Sequence, residues 1–306
     1  MNSSTARGWL TPAAGLMVLV AVTAGVGPGT RGGYGRDAVV AQGAAAPGPA
    51  PAYPGYTLVW SEEFDRDGEP DPANWTYETG FVRNQELQWY QPGNARVENG
   101  MLIIEGRRER KPNPNYQAGS TDWKRNREFA EYTSSSLTTR GRHDWQYGRI
   151  EMRARIDTRA GLWPAFWTLG TGGGWPRNGE VDIMEYYRGN LLANAAWGSA
   201  QPGRAVWNDT RTPLMAFHNP DWSRQFHVWR MDWDENRIQL FVDNQLLNEI
   251  DLTKTINEDG TNKNPFRQPH YLIVNLAIGG QGGDPSATEF PSRYEIDFIR
   301  VYQKKG

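Results

Sequence analysis

Short runs in which apolar and polar residues alternate recur through the chain from about residue 56, and turn-forming residues separate them. Alternation with a period of two is the pattern of a half-buried β-strand, because successive side chains then point to opposite faces. No long stretch repeats its apolar residues at helical spacing. The predicted strands are Thr57–Trp60, Ala95–Val97, Met101–Arg107, Ser134–Thr139, Gly148–Asp157, Ala165–Leu169, Glu180–Tyr187, Leu192–Trp197, His227–Trp233, Arg237–Val242, His270–Ala277 and Arg293–Tyr302.

Two dipeptides mark tight hairpin turns between these runs. Asn99-Gly100 and Asp243-Asn244 consist of residues that tolerate the left-handed backbone of two-residue hairpin loops. Many short strands joined by turns are typical of an all-β sandwich. About 250 residues suffice for one domain of this class. We therefore predict a single all-β domain over residues 56–304.

One predicted strand carries three carboxylates. Within Gly179–Tyr186, Glu180 and Asp182 are two positions apart, so they share one face of the strand. Glu185 is out of phase with them, and a β-bulge between Asp182 and Glu185 supplies the extra residue that returns it to their face. A helix would instead place Glu180 and Glu185 roughly 140° apart around its axis. The segment therefore predicts a bulged strand with an acidic row.

An acidic row is costly, because neighbouring carboxylates repel one another and raise each other's pKa values. Glycoside hydrolysis explains the cost: one carboxylate acts as nucleophile or base, and a second stays protonated to assist the leaving oxygen. Glu180 and Glu185 are the candidate pair, about four strand steps or roughly 13 Å apart along the backbone. Asp182 lies between them, where it can hydrogen-bond the nucleophile. The alternative interpretation is a solvated acidic face on an edge strand.

The motif Glu-x-Asp-x-x-Glu in this setting resembles the catalytic signature of glycoside hydrolase family 16, in its bulged form. The resemblance runs from about Thr57 to Gln303. It includes the segments Asn84–Gln88, Gly161–Gly170, Gly174–Pro176 and Tyr294–Tyr302, which look like those of laminarinase-type members.

Members of this family are retaining endo-hydrolases of β-linked polysaccharides. The resemblance therefore implies Glu180 as nucleophile, Asp182 as its assistant and Glu185 as acid/base. It also implies a jelly-roll sandwich of two curved antiparallel sheets, in which the concave sheet forms an open substrate cleft. The expected partner is a polysaccharide, and the expected state is a monomer.

Fourteen Trp and thirteen Tyr residues suit a carbohydrate enzyme, because flat aromatic faces stack on the apolar faces of sugar rings. Trp163, Trp167 and Trp175 lie just before the acidic strand, and we predict that they contact substrate. The alternative for each is packing in the core, and this alternative is strongest for Trp167. Core or sheet-face positions are predicted for Trp60, Trp75, Trp229 and Trp233.

Polar residues elsewhere are further candidates for sugar contact. Asn84 and Glu86 lie in a loop that faces the cleft in the laminarinases that this chain resembles, although either could instead order the loop. Arg96, Asn275 and Gln281 are candidates of the same kind.

Calcium is a further implication of the resemblance. In the family, a carboxylate near the first strand, a backbone carbonyl and a carboxylate on the last strand bind the ion on the convex side. Glu63, Gly100 and Asp297 match these positions, and oxygen ligands suit Ca²⁺. Such an ion would stabilise the sandwich without taking part in the reaction, and no cofactor is expected for catalysis. The alternative for Asp297 is an ordinary outward-facing strand residue.

The N-terminal residues differ in composition from the rest. Arg7 precedes an apolar run, Ala13–Val22, that is shorter than the about 20 residues that span a bilayer. We predict a signal peptide and leader over residues 1–42, with cleavage between about Ala24 and Ala45, and a secreted or periplasmic enzyme without a membrane anchor. A retained anchor is the alternative. Residues 43–55, rich in Ala, Gly and Pro, predict a flexible or extended linker that is poorly ordered.

Composition excludes several other chemistries. The chain has no Cys, which removes disulfides, zinc–thiolate sites and thiol nucleophiles, and its four His lack metal-site spacing. It contains neither a Gly-x-Ser-x-Gly elbow nor a phosphate-binding loop. A net charge of −2 provides no basic surface for nucleic acid.

Substrate identity is less well defined than mechanism. We predict β-1,3 or mixed β-1,3/1,4 glucans. Two departures favour an alternative: laminarinase-like members often carry a His on the strand after the catalytic one, where this chain has Ala193–Gly198, and Gln201–Arg224 is long. A galactan hydrolase of the agarase, porphyranase or carrageenase type is therefore the second candidate, and sulfated galactans would require cationic side chains at the cleft. The available ones are Arg177, Arg188, Arg204 and Arg211. A carbohydrate-binding protein without catalysis is the third, although all three acids are present.

Overall fold

The structure is a computed structural model that describes residues 48–305. This part of the chain contains β-strands and five short 3₁₀ helices. The strands, in chain order, are β1 (Tyr56–Glu62), β2 (Thr76–Tyr77), β3 (Gln88–Tyr90), β4 (Ala95–Val97), β5 (Leu102–Gly106), β6 (Lys111–Pro112), β7 (Phe129–Ala130), β8 (Tyr132–Ser134), β9 (Ser136–Thr138), β10 (Gly148–Arg155), β11 (Leu162–Gly170), β12 (Glu180–Tyr187), β13 (Asn190–Gly198), β14 (Ala205–Asn208), β15 (Arg211–Pro213), β16 (His227–Trp233), β17 (Arg237–Val242), β18 (Gln245–Asp251), β19 (His270–Ile278) and β20 (Ser292–Lys304). The 3₁₀ helices are Pro92–Asn94, Leu214–Phe217, Trp222–Arg224, Leu252–Lys254 and Gly280–Gly282.

Two eight-stranded antiparallel sheets form a jelly-roll sandwich, as predicted. Sheet A has the order β18-β17-β16-β10-β20-β5-β4, and β1 pairs with β20. Sheet B has the order β14-β13-β12-β11-β19-β9-β2, and β15 pairs with β13. The acidic strand β12 is therefore a central strand of sheet B. We call the face of sheet B that points away from sheet A the cleft face.

Side chains that alternate along the strands build the core between the two sheets. On β16, Trp229, Met231 and Trp233 are buried in the core, and the residues between them are partly exposed. Burying each large apolar side chain contributes about 1.5–3 kcal/mol. The core positions predicted for Trp75, Trp229 and Trp233 are confirmed, and Trp60 packs against the core at partial exposure.

The predicted strands agree closely with the observed ones. β4, β12, β16 and β17 have the predicted bounds, whereas β2, β3, β6, β7, β14, β15 and β18 were not predicted. Of these, β14, β15 and β18 lie at sheet edges and bury few side chains, so their alternation is weak. The others are only two or three residues long, too short for a pattern to show.

The Asn99-Gly100 turn has the predicted geometry. Asn99 and Gly100 have φ values of 55° and 73°, and they join β4 to β5. Positive φ at both central residues is the requirement of a type I′ hairpin turn. At the β17–β18 turn, Asp243 has a positive φ of 52°, but Asn244 does not, so this hairpin turn is not of type I′.

The predicted leader, residues 1–42, and the first residues of the predicted linker lie outside the described residues. The described part of the linker, from residue 48, differs from the expectation of poor order, because Tyr53 packs against sheet A. Its hydroxyl donates to Glu151 over 2.7 Å, and its ring meets that of Tyr302 edge-on. No helix among residues 48–305 is long and apolar enough to cross a membrane.

Candidate active site

The predicted β-bulge is present in β12. Asp182 pairs with Asn194 on β13, while Glu185 pairs with Leu192, so three steps on β12 oppose two on β13. On the other side, Asp182 pairs with Trp167 and Met184 with Phe166, so the same extra residue interrupts the pairing with β11. The bulge therefore lies between Asp182 and Glu185, as predicted.

The bulge divides β12 into a core face and an acidic face. Val181, Ile183 and Met184 belong to the core between the sheets. Two successive residues, Ile183 and Met184, thus enter the core, and the phase of the strand changes between them. Glu180, Asp182 and Glu185 consequently share the cleft face. Because β12 is flanked by strands on both sides, the acids do not lie on an edge strand, and that alternative is excluded.

Two tryptophans hold the outer carboxylates. The Trp175 indole Nε1 donates to Glu180 Oε2 over 2.6 Å, and the Trp163 Nε1 donates to Glu185 Oε1 over 2.8 Å. Trp175 remains 48% exposed, whereas Trp163 is only 7% exposed. Trp175 therefore presents an open ring face beside Glu180. Trp163 is buried, and its hydrogen bond mainly holds the Glu185 side chain in position.

Asn194 joins the middle and last acids. Its amide Nδ2 donates to Asp182 Oδ2 over 3.3 Å and lies 3.5 Å from Glu185 Oε2. The amide oxygen accepts from the Thr210 backbone N–H over 3.1 Å, which ties the segment between β14 and β15 to the site. This residue stands on β13, where laminarinase-like members often have a nearby His.

The three acids differ in their proton affinity. Burial, followed by the charge of Glu180, raises the pKa of Glu185 to about 7. Burial and the charges of both glutamates raise the pKa of Asp182 well above its ordinary value. Burial also raises the pKa of Glu180, but hydrogen bonds from Trp175 and Asp182 and the charge of Arg83 oppose this rise. The arrangement therefore favours an ionised Glu180 beside a protonated Asp182 and a protonated Glu185.

Arg83 is a cation whose charge acts on Glu180, and it was not predicted from the sequence. Its guanidinium pairs with Glu78 and lies over the Trp167 ring, 5.0 Å from the ring centre. It lowers the pKa of Glu180 by its charge. The only sequence feature that could have indicated a role for Arg83 at the site is that it directly precedes the Asn84–Gln88 segment.

A hydrogen-bonded chain connects Trp167 with Glu86. Trp167 Nε1 donates to Asn275 Oδ1 over 2.8 Å, and Asn275 Nδ2 lies 3.1 Å from the Tyr90 hydroxyl. Tyr90 in turn hydrogen-bonds Glu86, whose pKa is raised, chiefly by burial. Trp167 is buried, so its ring contributes to the cleft wall through this network. Tyr90 was not predicted from the sequence.

The structure brings Asn84, Glu86 and Gln281 together at the rim. Asn84 Nδ2 donates to Glu86 Oε1 over 3.3 Å, and Gln281 lies in the 3₁₀ helix that follows β19. A side chain at Gly280 would meet the Asn84 carbonyl oxygen at 3.2 Å and the Glu86 side chain at 3.6 Å. Glycine there allows the two loops to approach closely. Sugar contact by these residues stays a prediction.

Arg96 does not lie at this site. It is on β4 of sheet A, where it forms ion pairs with Glu98 (2.8 Å) and Glu105 (3.3 Å). Its strand neighbours Ala95 and Val97 point into the core, so Arg96 points to the outer face of sheet A. The prediction of substrate contact for Arg96 is therefore wrong, because its sheet and its face both differ from those of the acids.

The predicted calcium ligands are only partly arranged for an ion. Glu63 forms a two-pronged pair with Arg300, with distances of 2.7 and 2.8 Å, and Asp297 pairs with Arg153. Burial raises the pKa of Asp297, and the charge of Glu63 raises it further, so the two carboxylates are near one another. Gly100 lies in the β4–β5 turn. Two carboxylates suit Ca²⁺, but each already has a guanidinium partner, and calcium binding stays a prediction.

Comparison with known proteins agrees with this fold. The family model described as Glycosyl hydrolases family 16 matches residues 90–300. The chain belongs to this family, and it is accordingly a retaining glycoside hydrolase that acts on O-glycosyl bonds.

Individual relatives cover most of the chain. A β-glucanase of Rhodothermus marinus is 37% identical over 276 residues, which are 82% of this chain and 86% of that protein. A second relative is a solved structure from work on the endo-acting O-glycanases that prominent members of the human gut microbiota express to initiate mucin breakdown. Its sequence is 35% identical to this chain. The two structures superpose with a TM-score of 0.76, which covers 84% of this chain and 94% of the other. A variant of SCLam, a non-specific endo-β-1,3(4)-glucanase, is 37% identical, with a TM-score of 0.66 over 85% and 100% of the two chains, and holds 1,3-β-D-cellobiosyl-glucose at its active site.

Proposed function

We propose that this protein is an endo-acting enzyme that cuts β-1,3 or mixed β-1,3/1,4 glucans, with Glu180 as nucleophile and Glu185 as acid/base. One observation carries the assignment of roles: the bulge puts the two glutamates on one face, where hydrogen bonds and a cation oppose the rise that burial causes in the pKa of Glu180, whereas the charge of Glu180 adds to the rise at Glu185. The β-glucanase and the endo-β-1,3(4)-glucanase named above support glucan as the substrate.

In the first step, an ionised Glu180 oxygen attacks the anomeric carbon of the sugar. The bond between that carbon and the glycosidic oxygen breaks, and Glu185 transfers its proton to the departing oxygen. The products of this step are a glycosyl ester on Glu180, an ionised Glu185 and a shortened chain with a new hydroxyl. A Glu185 pKa of about 7 suits this transfer, because the carboxyl is protonated below neutral pH and still acidic enough to donate.

In the second step, Glu185 acts as a base. It takes a proton from water, and the resulting hydroxide attacks the anomeric carbon and releases Glu180. Two inversions give net retention of the anomeric configuration. Asp182 hydrogen-bonds Glu180 and modulates its charge between the two steps.

The surroundings of Glu180 support its role as the ionised partner. The Trp175 N–H and Asp182 both hydrogen-bond it, and Arg83 adds a positive charge nearby. Hydrogen bonds to a carboxylate favour its charged form. Glu185 instead lies beside the negative charges of Glu180 and Glu86, which disfavour its ionisation.

A galactan or another charged glycan is the second candidate substrate. Burial and the charge of Glu185 raise the pKa of Tyr187, and the charges of Arg211 and Arg188 oppose this rise, so both cations lie near that ring. Tyr187 packs edge-on against Trp163, with ring centres 5.3 Å apart. Two cations beside the Glu185 end of the cleft would suit a sulfated sugar. By contrast, Arg177 lies 3.7 Å from Asp259, outside this group.

We also propose that the protein is exported and acts as a monomer. The apolar segment Ala13–Val22 supports export. Expression of the full chain, followed by N-terminal sequencing of the protein recovered from the medium, tests the first proposal. Light scattering at several protein concentrations tests the second.

The purified protein should be incubated with laminarin, barley mixed-linkage glucan, agarose, porphyran and carrageenan, and the products sized. We expect internal cutting of the two glucans, with early products of intermediate length. Proton NMR of the first products should show the β-anomer before mutarotation. Cutting of galactans alone would overturn the glucan proposal, and an initial α-anomer would overturn the assigned roles.

A further inference from the structure

Trp207 lies in the same cross-strand row as Glu180. Glu180 pairs with Ala196 on β13, and Ala196 pairs with Trp207 on β14. Directly paired residues of a sheet point to the same face. Neighbouring strands are about 4.8 Å apart, so the two backbones are separated by about 10 Å. Trp207 was not predicted from the sequence as a site residue.

The neighbours of Trp207 confirm the face to which it points. Val206 packs against the core between the sheets, and the Asn208 side chain accepts a hydrogen bond over 2.9 Å from Asn248 on sheet A. Both neighbours therefore point towards sheet A. Because strand side chains alternate, Trp207 points to the cleft face, as Glu180 does.

The Trp207 indole is available to a ligand. It is 44% exposed on the outermost strand of its row, and the described part of the chain provides no hydrogen bond to its Nε1. Ala196, which stands between it and Glu180, is too short to project as a barrier. Trp175, at 48% exposure, is the other open indole beside Glu180.

We infer that Trp207 is a sugar-stacking platform that extends the cleft beyond Glu180 across β13, and this inference rests on the proposed function. Its ligand is a pyranose unit of the substrate, one to two rings from the cut bond. Asn84 and Glu86 are near β19, on the opposite side of β12, because Leu87 N–H donates to the Ile278 carbonyl over 2.8 Å. Trp207 and the Asn84–Glu86 rim therefore lie on opposite sides of β12.

This position explains a large aromatic on an exposed edge. An indole offers a flat apolar face that complements the axial C–H face of a sugar, with a polar edge left in water. Isolated exposed hydrophobics need no special explanation. Trp207 differs because its row contains the proposed nucleophile, and its face is continuous with that of the acids.

The test compares Trp207→Ala and Trp207→Phe with Leu246→Ala. Leu246 has a similar exposure of 46% but lies on β18 of sheet A, so it controls for the loss of an exposed apolar side chain. Each protein is assayed on the polysaccharide of the panel that the wild type cuts, and on a reducing-end-labelled series of its oligosaccharides. Circular dichroism and the melting temperature verify that each variant folds.

Trp207→Ala should raise KM for the polysaccharide by about three- to tenfold, which is the loss of affinity expected when one aromatic stacking contact is removed. The loss should grow with oligosaccharide length, and the preferred cutting position should shift along the labelled chain. Trp207→Phe should recover most of the loss, and Leu246→Ala should match the wild type. An unchanged KM and cutting pattern for Trp207→Ala, in an active wild-type background, would overturn the platform alone. A wild type that neither cuts nor binds any polysaccharide of the panel would overturn the proposed function, and the platform with it.

Discussion

The indole Nε1 of Trp163 donates a hydrogen bond to Oε1 of Glu185 over 2.8 Å, and this bond lowers the pKa of that carboxyl against the effect of burial. Trp163→Phe keeps the packing and removes the bond, so the pKa of Glu185 should rise. Since Glu185 acts as an acid, the alkaline limb of kcat/KM should move to higher pH. A pH profile of hydrolysis measures this shift.

Trp175→Phe is the matched variant for the other carboxylate. It removes the hydrogen bond to Glu180, so the pKa of Glu180 should rise and the acidic limb should move to higher pH. The two variants thus affect opposite limbs. A movement of the acidic limb by Trp163→Phe, with the alkaline limb fixed, would contradict the assigned roles.

Arg83 compensates the negative charge of the site. Arg83→Met should destabilise the protein by about 1.5–3 kcal/mol, because Glu78 loses its ion-pair partner and the cluster loses its cation. The acidic limb of kcat/KM should also move to higher pH. Urea unfolding and a pH profile give the two readouts. Arg66→Met, at an exposed position, is the control, and equal effects of the two substitutions would contradict a specific role for Arg83.

Glu185 should reduce stability at alkaline pH. Its pKa rises from 4.5 to about 7 on folding, so the unfolded chain ionises first as pH increases. The resulting cost is absent below about pH 4.5, grows between the two pKa values and reaches about 3 kcal/mol above pH 7. Glu185→Gln should therefore match the wild type in unfolding free energy near pH 4 and exceed it near pH 8.5. An equal difference at both pH values would contradict the raised pKa.

Calcium binding at Glu63 and Asp297 can be tested through stability. If the ion binds, millimolar Ca²⁺ should raise the melting temperature of chelator-treated protein, and Asp297→Asn should remove the effect. Activity per folded molecule should stay the same. A melting temperature that does not respond to Ca²⁺ would contradict calcium binding at these carboxylates, which already pair with Arg300 and Arg153.

β12 could be predicted well from the sequence, because the need for three acids on one face and the alternation of a strand together fix where its residues point. Its bounds, its bulge and the shared face of its acids all follow from a strict two-residue period with a single interruption. Strands that alternate strongly, such as β16, were predicted for the same reason. The edge strands β14 and β15 were missed, because an edge strand buries little and shows little alternation.

The surroundings of the acids were harder to predict because they depend on long-range pairing. Local sequence cannot show that Arg83 approaches Glu180, or that Asn194 reaches Asp182. Arg96 was assigned to the site in error, since its sheet follows only from the topology. Likewise, Trp207 becomes a candidate only when the register places it in line with Glu180.

The most direct test of the account is the release of reducing ends by Glu180→Ala, with Glu235→Ala at an exposed position as control. On the polysaccharide that the wild type cuts, we expect the rate to fall at least about ten-thousandfold while binding of oligosaccharides persists. Added azide should restore turnover and yield the α-glycosyl azide, because the small anion enters the space of the missing carboxylate. Undiminished turnover by Glu180→Ala would contradict the assignment of the nucleophile.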